Sequence, residues 1–231
     1  MEACTPTKPV TVITGATGGI GSALALALTG HKLILTGRNP AKLEALCSSI
    51  PNSIPLILEL QKPETFAAAL EGFPRIDNLI HNAGVGELGS VENTSLEIWR
   101  EILNVNLLAC VELTRICLNR LRETRGQVLF VNSGAGLTAN AGWGAYAASK
   151  FALRALNDAL SAEETPNGLR VMTVYPGRTA TKMQKKVRSQ EHQAYEPEKY
   201  IQPETLAGTI KMMLETSRDS ILTQVVVTRP T

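Results

Sequence analysis

Tyr146 and Lys150 stand four residues apart in the stretch Tyr146-Ala147-Ala148-Ser149-Lys150. That spacing places two side chains one above the other on a single helix face. An ammonium held near a phenol favours the ionised phenol, which suits a tyrosine to general acid/base work. A Tyr/Lys pair alone is more often a solvated helix face. Three further features give this pair chemical company. Ser133 lies thirteen residues upstream of Tyr146, just beyond the apolar run Val128-Leu129-Phe130-Val131. Pro176-Gly177 closes another apolar run, and a glycine-rich turn, Thr14-Gly15-Ala16-Thr17-Gly18-Gly19-Ile20-Gly21, opens the chain.

These residues need elements to hold them. Short apolar or β-branched runs predict strands at Val10–Thr14, Lys32–Thr36, Ile54–Leu60, Ile76–His81, Gly126–Val131, Leu169–Tyr175 and Ile221–Thr228. Helices are predicted between them at Ile20–Leu28, Pro40–Ser49, Pro63–Leu70, about Leu96–Arg122, Ala145–Glu163, Thr181 to about Gln193, and Pro203–Ser217. Strand and helix alternate with short connections. The expectation is therefore an α/β fold, a single doubly wound domain over residues 1–231. Its sheet is mostly parallel and seven-stranded, with helices on both faces. Residues 1–9 are expected to form a flexible tail.

Composition narrows the function classes. Hydrophobic residues make up 44% of the 231 and charged residues 19%, a globular balance. A net charge of +2 gives no polyanion signal, and the cluster Lys182, Lys185, Lys186, Arg188 reads as a solvated helix face. No nucleic-acid partner is expected. No apolar run approaches a membrane span, and Met1 to Pro9 has no apolar signal region, so a cytoplasmic protein without a membrane partner is expected. Cys4, Cys47, Cys110 and Cys117 show neither CxxC nor paired-His spacing, which argues against zinc or a disulfide framework.

The turn Gly15–Gly21 carries the strongest local signal. A strand running into a helix through four glycines in seven residues lets the backbone approach a ligand. The helix N-terminus then offers N–H groups to a diphosphate, so dinucleotide binding is expected. The spacing is not G-x-G-x-x-G. At the end of the second strand, about 20 residues on, an NAD site usually places a carboxylate for the ribose 2′-OH. Here that position is Gly37, followed by Arg38 and Asn39. A guanidinium can grip a 2′-phosphate, so NADP(H) is the expected cofactor.

Together these motifs resemble the short-chain dehydrogenase/reductase family over about Val10 to Thr181. The turn is similar to its T-G-x-x-x-G-I-G, Asn82-Ala83-Gly84 with His81 to its N-N-A-G, and Pro176-Gly177-Arg178-Thr179-Ala180-Thr181 to its P-G-x-x-x-T. The resemblance implies a Rossmann fold and an NADP(H)-dependent reduction of a ketone or aldehyde to an alcohol, reversible. It implies Tyr146 as general acid/base, Lys150 as its partner and a ligand of the nicotinamide ribose, and Ser133 as a donor to the substrate oxygen. Asn106 would hold a water that links the lysine to solvent. Cofactor contacts are implied for Gly15, Thr17, Gly18, Gly19, Ile20, Gly21, Arg38, Asn39, Glu59, Leu60, Asn82, Ala83 and Gly84. They are implied further on for Tyr146, Lys150, Pro176, Gly177, Thr179 and Thr181. Glu59 stands where the family usually has Asp. Residues 182–202 match the position of the family's substrate lid and are short, which suggests an open, tolerant pocket. Val85 to Leu88, Leu137 to Gly142 and Trp143 are its expected walls. A homodimer or homotetramer is implied, with Cys110, Leu113 and Cys117 as candidate interface residues. Two other readings stand beside this one: an NAD-dependent alcohol dehydrogenase, and a dinucleotide sensor without turnover.

Overall fold

Among the described residues seven strands form along short apolar or β-branched runs. The computed structural model describes residues 8–230. Its strands are β1 (Val10–Ile13), β2 (Lys32–Gly37), β3 (Ser53–Ile57), β4 (Asn78–His81), β5 (Gln127–Val131), β6 (Arg170–Pro176) and β7 (Gln224–Val227). They make one sheet in the order β3-β2-β1-β4-β5-β6-β7, and every pairing is parallel. The inner strands β5 and β6 are buried at every position, as a sheet covered on both faces requires. The edge strands β3 and β7 contain exposed residues.

The described residues form eight α-helices, six of which cover the sheet: α1 (Gly19–Ala27), α2 (Pro40–Ser48), α3 (Phe66–Leu70), α5 (Ala109–Thr124), α6 (Gly144–Glu164) and α8 (Pro203–Glu215), with α4 (Leu96–Leu103) and α7 (Lys182–Gln190) outside the two cores. On one face Leu24 and Leu28 of α1, Leu43 of α2 and Leu206, Ile210 and Met213 of α8 pack against Ile13, Leu33 and Val174. On the other, Phe66, Leu113, Cys117, Leu153 and Leu160 of α3, α5 and α6 pack against Val12, Leu79, Val128 and Val171. The chain reverses its direction of growth between β3 and β4. β1 and β4, neighbours in the sheet, thus send their carboxyl-end loops apart and leave a crevice, the usual ligand position of such sheets.

The boundaries differ from expectation in instructive places. β3 stops at Ile57, so Glu59 and Leu60 lie in the following turn. The long helical stretch is interrupted by a π-turn at Asn104–Leu108, which separates α4 from α5. Ser95 caps α4 by accepting from the Ile98 N–H at 3.4 Å. Cys110, Leu113 and Cys117, expected at an interface, are core residues at 5%, 1% and 0% exposure, with no surface to offer a partner. Burial pushes the Cys110 and Cys117 thiols up to about 12. Among the described residues no helix is long and apolar enough to cross a membrane. Cys4 and most of the expected tail, residues 1–7, lie outside the described residues.

One ion pair fixes the helix that carries Tyr146. Arg122 near the end of α5 donates twice to Glu164 at the end of α6, at 2.9 and 2.5 Å. Asn167 Nδ2 adds a third bond at 3.0 Å. The Glu164 side chain is 3% exposed and Arg122 40%. Hydrogen bonds from Arg122 hold the Glu164 carboxyl below its ordinary range, against the opposing effect of burial. A carboxylate with a lowered folded pKa stabilises above its unfolded pKa, and that stability is lost as pH falls through the folded value. Arg122→Met should lower stability at neutral pH, because it leaves the buried Glu164 carboxylate without its charge partner. Thermal unfolding at pH 7 and pH 3 checks this: the difference from the parent should be large at pH 7 and smaller at pH 3.

Candidate active site

The glycine turn sits at the carboxyl end of β1 and touches the end of β4. Gly15 takes a left-handed backbone (φ +63°), and a Cβ on it would lie 2.9 Å from Ala83 Cα. A Cβ on Gly21 would lie 2.8 Å from both Ala16 Cα and Asn82 Nδ2. Thr14 Oγ1 accepts the Asn82 and Ala83 N–H groups at 2.9 and 3.0 Å. Asn82 Nδ2 donates back to the Thr14 and Gly15 carbonyls at 2.9 and 3.2 Å. The buried Asn82 Oδ1 has no partner among the described residues. Gly18 is the N-cap of α1 and has no side chain to cap it, so the first N–H groups of the helix face the crevice.

Around this turn lies a cleft of about 1110 Å³. Of the expected cofactor residues, Gly15, Thr17, Gly18, Gly19, Ile20, Gly21, Arg38, Glu59, Leu60, Asn82, Ala83 and Gly84 line it. So do Tyr146, Lys150, Pro176, Gly177, Thr179 and Thr181. Arg38 is exposed at the end of β2, and its guanidinium has no side-chain bond among the described residues. Asn39 does not line the cleft. It is the N-cap of α2, and its Oδ1 accepts from Lys42 N at 2.9 Å. Thr181 caps α7 by accepting from Gln184 N at 3.2 Å and also touches the turn, since a Cβ on Gly19 would lie 3.0 Å from its Cγ2.

Ser133, Tyr146 and Lys150 share the wall opposite the turn. Ser133 Oγ accepts from Ala135 N at 3.1 Å, which leaves its own proton free to donate. The Tyr146 hydroxyl has no partner among the described residues, and its ring packs edge-on to Trp143 at 5.8 Å. Lys150 is 3% exposed. Its Nζ donates to the Val131 carbonyl at 3.2 Å and lies 5.8 Å from the Tyr146 ring centroid. One of its three protons is so used and two remain.

Asn106 is brought near these groups without entering the cleft. It lies in the π-turn at 0% exposure. Its Oδ1 accepts the Val85 N–H at 2.8 Å, and its Nδ2 donates to Val85 O at 2.9 Å and Ser149 Oγ at 3.0 Å. Ser149 in turn donates to Tyr146 O at 2.7 Å. Asn106 thus braces the loop after β4 against the catalytic face of α6.

Sequence reasoning missed several lining residues. Asn132 follows β5, and its Nδ2 bonds Lys150 O at 3.1 Å. Glu101 reaches the cleft from α4 and Val105 from the π-turn. No sequence pattern flags them, because their placement depends on how separate loops meet. The expected walls Leu88, Thr138, Asn140 and Trp143 do line the cleft.

The family model described as short chain dehydrogenase matches residues 9–192. An uncharacterized oxidoreductase of Escherichia coli (strain K12), YciK, is 34% identical over 189 residues, covering 75% of each chain. Dehydrogenase/reductase SDR family member 7B of Mus musculus is 33% identical over 183 residues, 73% of this chain and 57% of that longer protein. The solved alcohol dehydrogenase of the archaeon Thermococcus sibiricus, complexed with 5-hydroxy-NADP, superposes at a TM-score of 0.86 with 27% identity, covering 97% of this chain and 99% of that one. A short chain dehydrogenase of Escherichia coli CFT073, complexed with NADPH, superposes at 0.85 with 29% identity, covering 95% and 96%.

His81 tests the interior behind the site. It is stacked on Phe130 at 4.9 Å, and its Nε2 pairs with Thr114 Oγ1 at 2.9 Å. Burial lowers its pKa to about 3. Unfolded, the imidazole takes up a proton below about 6.5. Stability should therefore fall as pH drops from 6.5 towards 3, by up to about 1.4 kcal/mol per pH unit from this residue. His81→Asn should flatten that slope in denaturant melts run across the same range; an unchanged slope would mean that His81 is protonated in the fold.

Proposed function

This chain belongs to the short-chain dehydrogenase family, and we propose that within it the protein is an NADP(H)-dependent carbonyl reductase. The observation that carries the reading is the joint placement of Ser133, Tyr146 and Lys150 in one cleft with the glycine turn and Arg38. The cradle fits a dinucleotide, because side chains at Gly15 or Gly21 would close the approach that the backbone keeps. The Thermococcus and Escherichia relatives complexed with 5-hydroxy-NADP and NADPH support the same cofactor class.

Gly18 to Gly21 would hold the diphosphate at the α1 N-terminus, and Arg38 the 2′-phosphate. Glu59 and Leu60 would flank the adenine, and Lys150 would bond the nicotinamide ribose. Thr179 and Thr181 would face the carboxamide. The bound nicotinamide supplies or accepts the hydride. The protein's own part is proton movement and placement. Ser133 Oγ–H orients the substrate oxygen, and Tyr146 Oη gives that oxygen its proton on reduction and takes it back on oxidation. Asn106 acts as a positioning residue, since its amide is committed to Val85 and Ser149. A homodimer or homotetramer through α5 and α6 is the assembly we expect, supported by the exposure of Leu108 in the π-turn, Val111 on α5 and Phe151 on α6.

The alternative of an NAD-dependent alcohol dehydrogenase is disfavoured by the absence of a carboxylate at Gly37 and the presence of Arg38. Arg38→Ala should weaken NADPH binding about 10- to 100-fold and leave NADH binding nearly unchanged, the cost of lost charge-assisted hydrogen bonds. Equal effects on both, read by fluorescence titration, would assign Arg38 to the surface. Tyr146→Phe should keep NADPH affinity and lose at least about 100-fold in turnover of a ketone. Full turnover in the folded variant would remove Tyr146 as the acid.

A further inference from the structure

The lid is tied across the cleft. Glu87 lies on the loop after β4, one residue beyond Gly86, against whose backbone the Tyr146 ring packs (a Cβ there would lie 3.2 Å from Tyr146 Cδ2). The Glu87 carboxylate takes the Lys186 ammonium at 2.5 Å and also the Gln190 side-chain N–H. Gln190 Oε1 accepts the Leu88 N–H at 3.3 Å. Lys186 and Gln190 are four apart and so share one face of α7. Behind α7, Glu191 takes Arg178 at 2.8 and 2.6 Å and Arg188 at 2.8 Å. Between these two fastenings Val187 is 6% exposed and lines the cleft.

We infer that the bridge from Glu87 to Lys186 and Gln190 closes the substrate end of the cleft and restricts the protein to compact carbonyl compounds, a reading that rests on the carbonyl reductase assignment. The room available points the same way. The whole cleft, which dinucleotide and substrate must share, is about 1110 Å³. A single small-molecule pocket commonly takes about 300–1,000 Å³ by itself. The bridge joins Glu87, which lines the cleft, to α7, whose Val187 also lines it, and so stands in the way of a long or bulky substituent. The pair is exposed, at 55% for Lys186 and 32% for Glu87, so it is weak enough to open and reclose at each turnover.

The experiment compares cyclohexanone with benzophenone, using NADPH, in the parent, in Lys186→Met and in the reversed pair Glu87→Lys with Lys186→Glu. The parent should prefer cyclohexanone. In Lys186→Met the ratio of kcat/KM for benzophenone over cyclohexanone should rise about two- to fivefold, the scale of an exposed ion pair, and the reversed pair should restore part of the preference. Amide hydrogen exchange over residues 182–191, measured without substrate, should quicken in Lys186→Met. A parent that reduces both ketones equally, or a ratio that does not move, overturns the size restriction and leaves the reductase reading standing. Unchanged exchange overturns the bridge itself. Turnover of neither ketone, with exchange quickened as expected, brings down the carbonyl reading and the substrate class with it.

Discussion

Everything in the cleft depends on one close approach, that of the backbone at Gly15 to the backbone at Ala83. The two meet because Gly15 has no side chain and adopts a left-handed conformation. Four hydrogen bonds between Thr14-Gly15 and Asn82-Ala83, two of them between Thr14 and Asn82, then lock the ends of β1 and β4 together. Neighbouring strands whose loops diverge leave a crevice, and this lock sets its floor. A Cβ at Gly15 or Gly21 would push against backbone, which cannot give way as a flexible side chain can.

The opposite wall is set by a second chain of contacts. The π-turn at Asn104–Leu108 presents Asn106 to Val85 and Ser149. Ser149 lies between Tyr146 and Lys150 on α6, so the brace acts at the turn of helix that carries both. Arg122 and Glu164 hold the far end of the same helix. Val131, the last residue of β5, accepts from Lys150 and fixes where its ammonium points. Floor and wall are separate constructions that share the loop Asn82–Val85, which bonds to both.

Much of this was legible in the sequence, for physical reasons. Short apolar or β-branched runs marked all seven strands, because the inner strands of a parallel sheet are covered on both faces. Helical spacing marked Tyr146 and Lys150 as a pair, but grouping them with Ser133 as one site came from the family resemblance. Other residues were harder. Asn39 is a polar residue after a strand, which is as good a helix cap as a ligand, and the cap is what it serves. Glu59 looked like the end of a strand, but β3 is an edge strand with half its positions solvated and it stops early. Cys110 and Cys117 sit seven apart on the face that meets the sheet, and spacing alone does not say which face that is. Glu87 and Lys186, 99 positions apart, meet only through the fold.

The most direct measurement is a titration of the purified protein with NADPH and with NADH, following ligand fluorescence and thermal shift. Tight NADPH binding, well above that of NADH, is the result expected of a glycine cradle with Arg38 at its rim. Binding of neither would contradict the assignment of the Gly15–Gly21 turn as a dinucleotide site, and the proposed chemistry of Ser133, Tyr146 and Lys150 would fall with it.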